Sequence, residues 1–524
     1  MRNIAFLFLC ALAAAQTPDN QAKPAQSAPA PPPKEAPPAP AKDEKPIITK
    51  HSVSVGGKTL NYTATVGMMP IKTSETGEIE ANMFYVAYTI DQPKGAAPRP
   101  LTFSFNGGPG SASVWLHMGA IGPRRVRMND DGSLPPPPYQ LIDNEGTWLD
   151  LTDIVFIDPV GTGYSRAVKP EFGKKFFGLE GDIASVGEFI RMYLGRNERW
   201  TSPLFLAGES YGTTRAAGLS GYLIDRGIAL NGVALLSTVL NFQTIRFSRG
   251  NDLPYILILP TYTATAWYHK KLSPALQKDL KETLRQAEDF ALHGYTDALA
   301  KGDRLTDEER RNAVDKLASF TGLSKTYIEQ SNLRVEILHF IKELLRDQGV
   351  SVGRLDSRIT GADAHGISEV PEDDPSLTSI RPPYTALFNQ YIRSELGYQS
   401  DATYFTLGGG IGPWDWGRAQ NSFADTSEAL RSAFAKNPYM KLYIGFGYFD
   451  LATPYFAAQY TLSHSGFPAG TQKNITERFY SAGHMFYINL DSLRQLKRDV
   501  EGFYAGALSR TSTTTQQGPR TRAD

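Results

Sequence analysis

The sequence predicts an α/β fold in which a mainly parallel central sheet carries helices on both faces and receives an inserted helical cap. Three observations point there. Apolar, β-rich runs alternate with helical stretches over the first half of the chain, the pattern becomes purely helical between about 242 and 395, and strand–helix alternation then resumes.

The first residues, Met1-Arg2-Asn3, the apolar run Ile4 to Leu12 and the small residues Ala13 to Ala15, have the three zones of a secretory signal over 1–15. Export to a bacterial periplasm or to the medium is the expected localisation, and the apolar run is too short to span a bilayer. Residues 16–45, with APAPPPKEAPPAPAKDEKP at their heart, lack the periodicity needed to pack and read as an extended linker.

A first core segment covers 46–241. It opens with the antiparallel candidates SVSV, LNYTATV and FYVAYTI between His51 and Thr89. Strand candidates follow at 101–105 (LTFSF), 153–158 (DIVFID), 203–207 (PLFLA) and 232–237 (GVALLS), with helices predicted near 180–195 and 213–226. The cap occupies 242–395, where LSPALQKDLKETLRQAEDFALH and NLRVEILHFIKELLRDQG show i, i+3, i+4 apolar spacing. The second core segment, 396–507, holds KLYIGFG, ITERFY and the amphipathic DSLRQLKRDVEGFYAGAL, and a polar tail takes up 508–524.

Composition narrows the function. With 54 Lys plus Arg against 54 Asp plus Glu, no excess charge points to nucleic acid or an anionic surface, and 41% hydrophobic residues suffice for a large core. The single cysteine, Cys10, falls inside the expected signal, so thiol catalysis and disulfides are excluded from the processed chain. No H-E-x-x-H pair suggests a metal, and no cofactor is implied. Oligomeric state is not legible.

Two segments match G-x-S-x-G, around Ser210 and around Ser351. The nucleophile elbow requires serine on a strained turn between a buried strand and a helix, and only Ser210, after PLFLA and before TTRAAGLSGYLI, has that setting. Ser351 follows a charged helix and reads as a turn in the cap. A serine nucleophile needs an imidazole base held by a carboxylate. Among eight histidines His484, in the glycine-containing loop YSAGHMF, is the best placed, and His464 reads as a surface turn residue. Asp450 follows the strand KLYIGF; by itself it fits a helix-capping carboxylate as well as a catalytic one. Ser210, Asp450, His484 is the chain order of α/β-hydrolases. The turn Asn106-Gly107-Gly108-Pro109-Gly110 at the end of LTFSF can direct backbone N–H groups at an oxyanion, or can simply be a tight strand-to-helix connection.

Taken together these segments resemble the serine carboxypeptidase family, in a bacterial-type, cathepsin A-like form. NGGPG at 106–110, DPVGTGYS at 158–165, GESYG at 208–212, DLATP at 450–454 and GHM at 483–485 stand in family order over about 380 residues. The resemblance implies Ser210 as nucleophile, His484 as base and then acid, Asp450 as its orienting group, and the N–H groups of Gly108 and Tyr211 as oxyanion hole. It implies that Asn106, Gly107 and a protonated Glu209 bind the free C-terminal carboxylate of a peptide, since two carboxylates so close cannot both ionise cheaply. Acidic pH should then favour activity.

The chain also departs from the family pattern. Ala120 stands where many members carry a second glutamate, Ser104 replaces a frequent tryptophan, Ser111 a usual cysteine, and DPVGTGYS is one residue short. Arg124, Arg125 or His117 are candidates to modify carboxylate recognition instead. An esterase or acyltransferase using the same triad remains the alternative function, and a non-catalytic binding protein would have no need of all three residues in order.

Overall fold

The structure, a computed structural model, describes residues 45–509 apart from Ser74, Lys94, Arg418, Gln420 and Asn421. The expected signal with Cys10, nearly all of the linker and the tail from 510 lie outside the described residues.

Nine strands carry the sheet: β1 (Ile47–Val55), β2 (Lys58–Lys72), β3 (Ile79–Thr89), β4 (Leu101–Phe105), β5 (Asp153–Ile157), β6 (Leu204–Ser210), β7 (Gly232–Thr238), β8 (Lys441–Gly447) and β9 (Ile475–Tyr480). Their spatial order is β1-β2-β3-β5-β4-β6-β7-β8-β9, and the short run Arg166–Ala167 also pairs with β3. The first three strands form an antiparallel meander joined antiparallel to β5, and every pair from β5 to β9 is parallel. This is the mainly parallel α/β sheet the alternation predicts.

β4, β5 and β7 are buried along their whole length, because helices cover both faces. Side chains alternate between two apolar layers. Phe205, Ala207, Ala234, Leu236 and Tyr443 join one cluster, and Leu206, Val233, Leu235, Leu442 and Ile444 join the other. The second layer is closed by α1 (Leu179–Arg196) and α2 (Tyr211–Ile224). Each large apolar side chain withdrawn from water in these layers contributes about 2 kcal/mol.

A third cluster lies in the helical insertion, built from α3 (Leu253–Tyr268), α4 (Leu280–Phe290), α5 (Asp307–Thr321) and α6 (Ile337–Glu343). Helix α5 starts in a capping box between Thr306 and Glu309, which satisfies two orphan N–H groups reciprocally. Leu451 and Ala457 of the second core segment join the same cluster, and the Tyr455 hydroxyl donates to Glu288 of α4 at 2.7 Å, so the insertion is packed against the core. Helix α7 (Pro375–Ser394) instead contributes Tyr384, Phe388 and Tyr391 to the first layer on the sheet. The final helix, α8 (Leu490–Leu508), covers that layer and reaches the first residue expected of the tail.

Ser351 is not in a turn. It sits in a short strand, Val350–Val352, paired with Thr360–Ala362, and its hydroxyl donates to Asp363, which also accepts from the buried Lys342 ammonium. The polar pairing between these two strands overrides the turn signal of the flanking glycines.

Candidate active site

The strand β6 ends and α2 begins at Ser210, whose backbone lies at φ 59° and ψ −131°, a region that L-residues other than glycine rarely occupy. Glycines on either side make this possible. A Cβ on Gly208 would collide with the Gly212 carbonyl, and one on Gly212 would stand 2.9 Å from the Phe105 oxygen. Of the β6 residues only Ser210 is partly exposed, so the strained turn lifts its side chain out of a buried strand. Arg215, one turn into α2, bonds Asp182 through Nε at 2.8 Å and gives an Nη1 hydrogen bond of 2.6 Å to the Asn106 carbonyl. The buried pair thereby fixes the elbow helix to the glycine turn.

Asp450 leaves the carboxyl end of β8 and is wholly buried. Its Oδ1 accepts from the Ala452 and Thr453 N–H groups at 2.8 and 3.0 Å, and its Oδ2 accepts from the Thr453 hydroxyl at 2.6 Å and from His484 Nδ1 at 2.7 Å. Because Nδ1 donates to this carboxylate, Nε2 is the imidazole's acceptor nitrogen. Burial alone would lower the His484 pKa, but the charge and hydrogen bond of Asp450 outweigh it and the net shift is upward. The His484 loop is pinned on both sides. Its own N–H donates to Leu355 O at 2.6 Å, and its carbonyl accepts from Ser237 Oγ at 2.5 Å. Ser237 directly precedes Thr238, the sheet partner of Ser210, so the loop is anchored beside the elbow.

The glycine turn follows β4. Gly107 backs so closely on the Tyr211 and Gly212 N–H groups that no Cβ would fit, and Gly108 takes φ 101°. The Gly108 N–H has no hydrogen-bond acceptor among the described residues, and Tyr211 is the first residue of α2, where the N–H groups have no acceptor within the helix and the dipole favours negative charge. From outside, residues 405–411 strap the turn. Ala112 N bonds Thr406 O, Gly408 N bonds Gly110 O, and Ile411 fills the space beside Gly110 that a side chain would need. The segment 158–165 braces it from within. Asp158 accepts from the Ser113 N–H and hydroxyl at 2.8 and 2.7 Å, and burial pushes its carboxyl up to about 6.

Glu209, one residue before the elbow serine, is buried and pushed up to about 7, chiefly by that burial. The Tyr487 hydroxyl donates to its Oε2, and the Asn106 amide beside it also favours the ionised form. Asn106 Oδ1 in turn accepts from Leu116 N at 3.0 Å. All eight residues assigned from the sequence therefore belong to this one edge of the sheet: Ser210, Asp450 and His484, then Gly108 and Tyr211, then Asn106, Gly107 and Glu209.

His117 is elsewhere. It is enclosed in the core, stacked on Phe156 at 4.2 Å with Nε2 bonded to Tyr88 Oη at 2.7 Å, because its helical turn faces inward onto β3 and β5. Arg124 pairs with Asp143 and Glu395 and so serves the fold. Arg125 is half-buried, and its nearest relation to the site is the field it exerts on the Tyr384 phenol. His464 caps a helix at the surface through Tyr460 O. Three contributors escaped the sequence reading. Thr453 lies inside the quoted DLATP and Tyr487 three residues beyond His484, so both were within view; Tyr384, from a distant helix, gave no local signal. Among the described residues no three His, Cys, Asp or Glu side chains gather as a metal site, and no helix is long and apolar enough to cross a membrane.

The family model for "Serine carboxypeptidase" matches residues 58–478. The pheromone-processing carboxypeptidase KEX1 of Saccharomyces cerevisiae is 32% identical over 158 residues, which are 28% of this chain and 20% of that protein. Serine carboxypeptidase-like 7 of Arabidopsis thaliana is 29% identical over 154 residues, 28% of this chain and 33% of the relative. The matches thus span between a fifth and a third of these relatives' lengths. The crystal structure of yeast KEX1(Δ)p, a prohormone-processing carboxypeptidase, superposes over 84% of this chain and 91% of that one, with a TM-score of 0.52 and 17% identity, and shares the fold.

Proposed function

The chain belongs to the serine carboxypeptidase family, and from that premise we propose that it hydrolyses the C-terminal peptide bond of peptides through an acyl-enzyme on Ser210. In this reading Ser210 Oγ attacks the carbonyl carbon while His484 Nε2 takes its proton. The resulting imidazolium is held by Asp450, which keeps Nδ1–H oriented throughout. The N–H groups of Gly108 and Tyr211 receive the oxyanion. His484 then protonates the departing amine, and a water activated by the same nitrogen releases the acyl group.

One observation carries the choice of substrate: a carboxyl group, Glu209, is buried next to the nucleophile and hydrogen-bonded by Tyr487. A simple esterase has no use for it, whereas a peptide's terminal carboxylate needs a neutral donor there. Glu209 supplies its proton below about pH 7 and loses it above, while His484 works only when deprotonated. The productive form holds one proton between the two groups, on Glu209, and the pair titrates jointly. Ala120, standing where a second acid is common, favours the esterase or acyltransferase reading as the alternative.

Release of amino acid from N-blocked dipeptides with free or amidated C-termini, from pH 4 to 8 and with Ser210→Ala as control, tests the proposal. Turnover confined to the free acid is expected. Equal cleavage of both would leave the triad and remove the carboxylate recognition. Export is part of the same reading, supported by the three-zone segment 1–15, as is a bacterial-type form, supported by the lack of cysteine after Cys10. Fractionation of cells followed by N-terminal sequencing would expose an uncleaved, retained chain.

A further inference from the structure

Where many family members set a second glutamate, the backbone of Gly119-Ala120 is pressed against phenols. A Cβ on Gly119 would stand 2.5 Å from Tyr384 Oη and 2.6 Å from Tyr487 Cε2. Tyr384 from α7 and Tyr487 from the turn Phe486–Ile488 are both buried, and the Tyr487 hydroxyl donates to Glu209 Oε2. The Tyr384 hydroxyl has no partner among the described residues. We propose that Tyr487 is the positioning residue for Glu209, engaging Oε2 so that, when the terminal carboxylate of a peptide draws the Glu209 proton to Oε1, the phenol donates to Oε2 and holds the acid in place. This rests on the carboxypeptidase reading.

The reasoning is one of donor and acceptor inventory. A neutral carboxyl has one O–H and one carbonyl oxygen, and a phenol at ordinary pH always carries its hydrogen. A terminal carboxylate only accepts, so beside it the Glu209 hydrogen belongs on Oε1 and Oε2 becomes the acceptor for the Tyr487 hydroxyl. A phenol oxygen also accepts, so without a substrate carboxylate either group can donate across this bond; the substrate fixes its direction.

The same bond predicts a sign. On ionisation of Glu209 the Tyr487 donor becomes charge-assisted, so it stabilises the anion and holds the Glu209 pKa below where burial alone would place it. The other groups facing Glu209 are His484, which also favours the anion, Asp450, which opposes it, the Asn106 amide and the Tyr384 phenol; Arg125 acts on that phenol from behind.

The pH dependence of 1/KM for a free-acid dipeptide therefore decides the matter. In Tyr487→Phe the alkaline limb should move upward by roughly 0.5–1 pH unit, the expected difference between charged and neutral hydrogen bonding. KM on the acid side should rise about tenfold with kcat changed much less, the signature of lost substrate orientation. Tyr384→Phe, whose hydroxyl makes no bond to Glu209, should move the limb less. Glu209→Gln removes the titration, so adding Tyr487→Phe to it should displace no limb. Fluorophosphonate labelling of Ser210 reports that each variant is folded. A limb that stays put or moves down in Tyr487→Phe, moves equally in Tyr384→Phe, or still moves in the Glu209→Gln background overturns the proposal alone. Wild-type protein indifferent to the free C-terminus overturns it together with the carboxypeptidase reading.

Discussion

Among the described residues two histidines are buried, and their surroundings drive them in opposite directions. His484, at the carboxyl edge of the sheet, has Asp450 on Nδ1, and its pKa is raised despite burial. His117, in the layer beneath the glycine turn, has only the Tyr88 hydroxyl and the faces of Phe156 and its neighbours, and burial pushes it down to about 3. Withdrawal from water produces no base by itself; it produces a neutral packing residue. The carboxylate changes the outcome, and Asp450 can do so because two N–H groups and the Thr453 hydroxyl hold it aimed at Nδ1.

The contrast is broken most severely at the carboxylate. Asp450→Asn should lower kcat/KM by about 10⁴-fold, because the imidazole loses both its tautomer and its counter-charge. His117→Gln should stay within about threefold of wild type in steady-state assays of the folded fraction. A comparable loss in both variants would erase the distinction. At the next level, Thr453→Val removes one hydrogen bond to a charged group and should cost about tenfold in kcat.

The smallest effects are read in stability. His117 is neutral when folded and protonates on unfolding, so its contribution is complete above pH 6.5 and is lost as pH falls towards 3, at about 1.4 kcal/mol per pH unit. Glu209 has the reverse sign. Raised from 4.5 to about 7, it favours the folded state below 4.5 and forfeits that contribution as pH rises to 7. Between pH 4.5 and 6.5 the two slopes oppose each other. Urea titrations across that window should show a steeper rise of stability with pH in Glu209→Gln and a flatter or inverted one in His117→Phe. Unchanged slopes would mean that neither group keeps its folded-state proton affinity.

Much of this was legible because it is local. The strands at 101–105, 153–157 and 232–238 announce themselves as short apolar runs, and the elbow at Ser210 by its strand-to-helix setting. The second G-x-S-x-G lacks that setting, and the short strand that holds Ser351 has no sequence signature, since three residues give no periodicity. His117 resembles a site residue in sequence because it neighbours the glycine turn, and nothing in HMGAI reveals which way that helical turn faces. Tyr384 was hidden for a deeper reason. Apolar spacing shows that α7 has a buried face but not which distant layer receives it, and here that layer belongs to the sheet.

The strap over the glycine turn also fixes when the molecule becomes competent. Ser210 and the N–H groups of Gly108 and Tyr211 come from the first half of the chain, but the turn's clamp comes from 405–411, and Asp450 and His484 come later still. A ribosome must deliver nearly the entire polypeptide before the His484 loop can dock beside the Ser210 turn. In the proposed reading, the order of synthesis thus withholds hydrolysis from every nascent chain until its last strands are made.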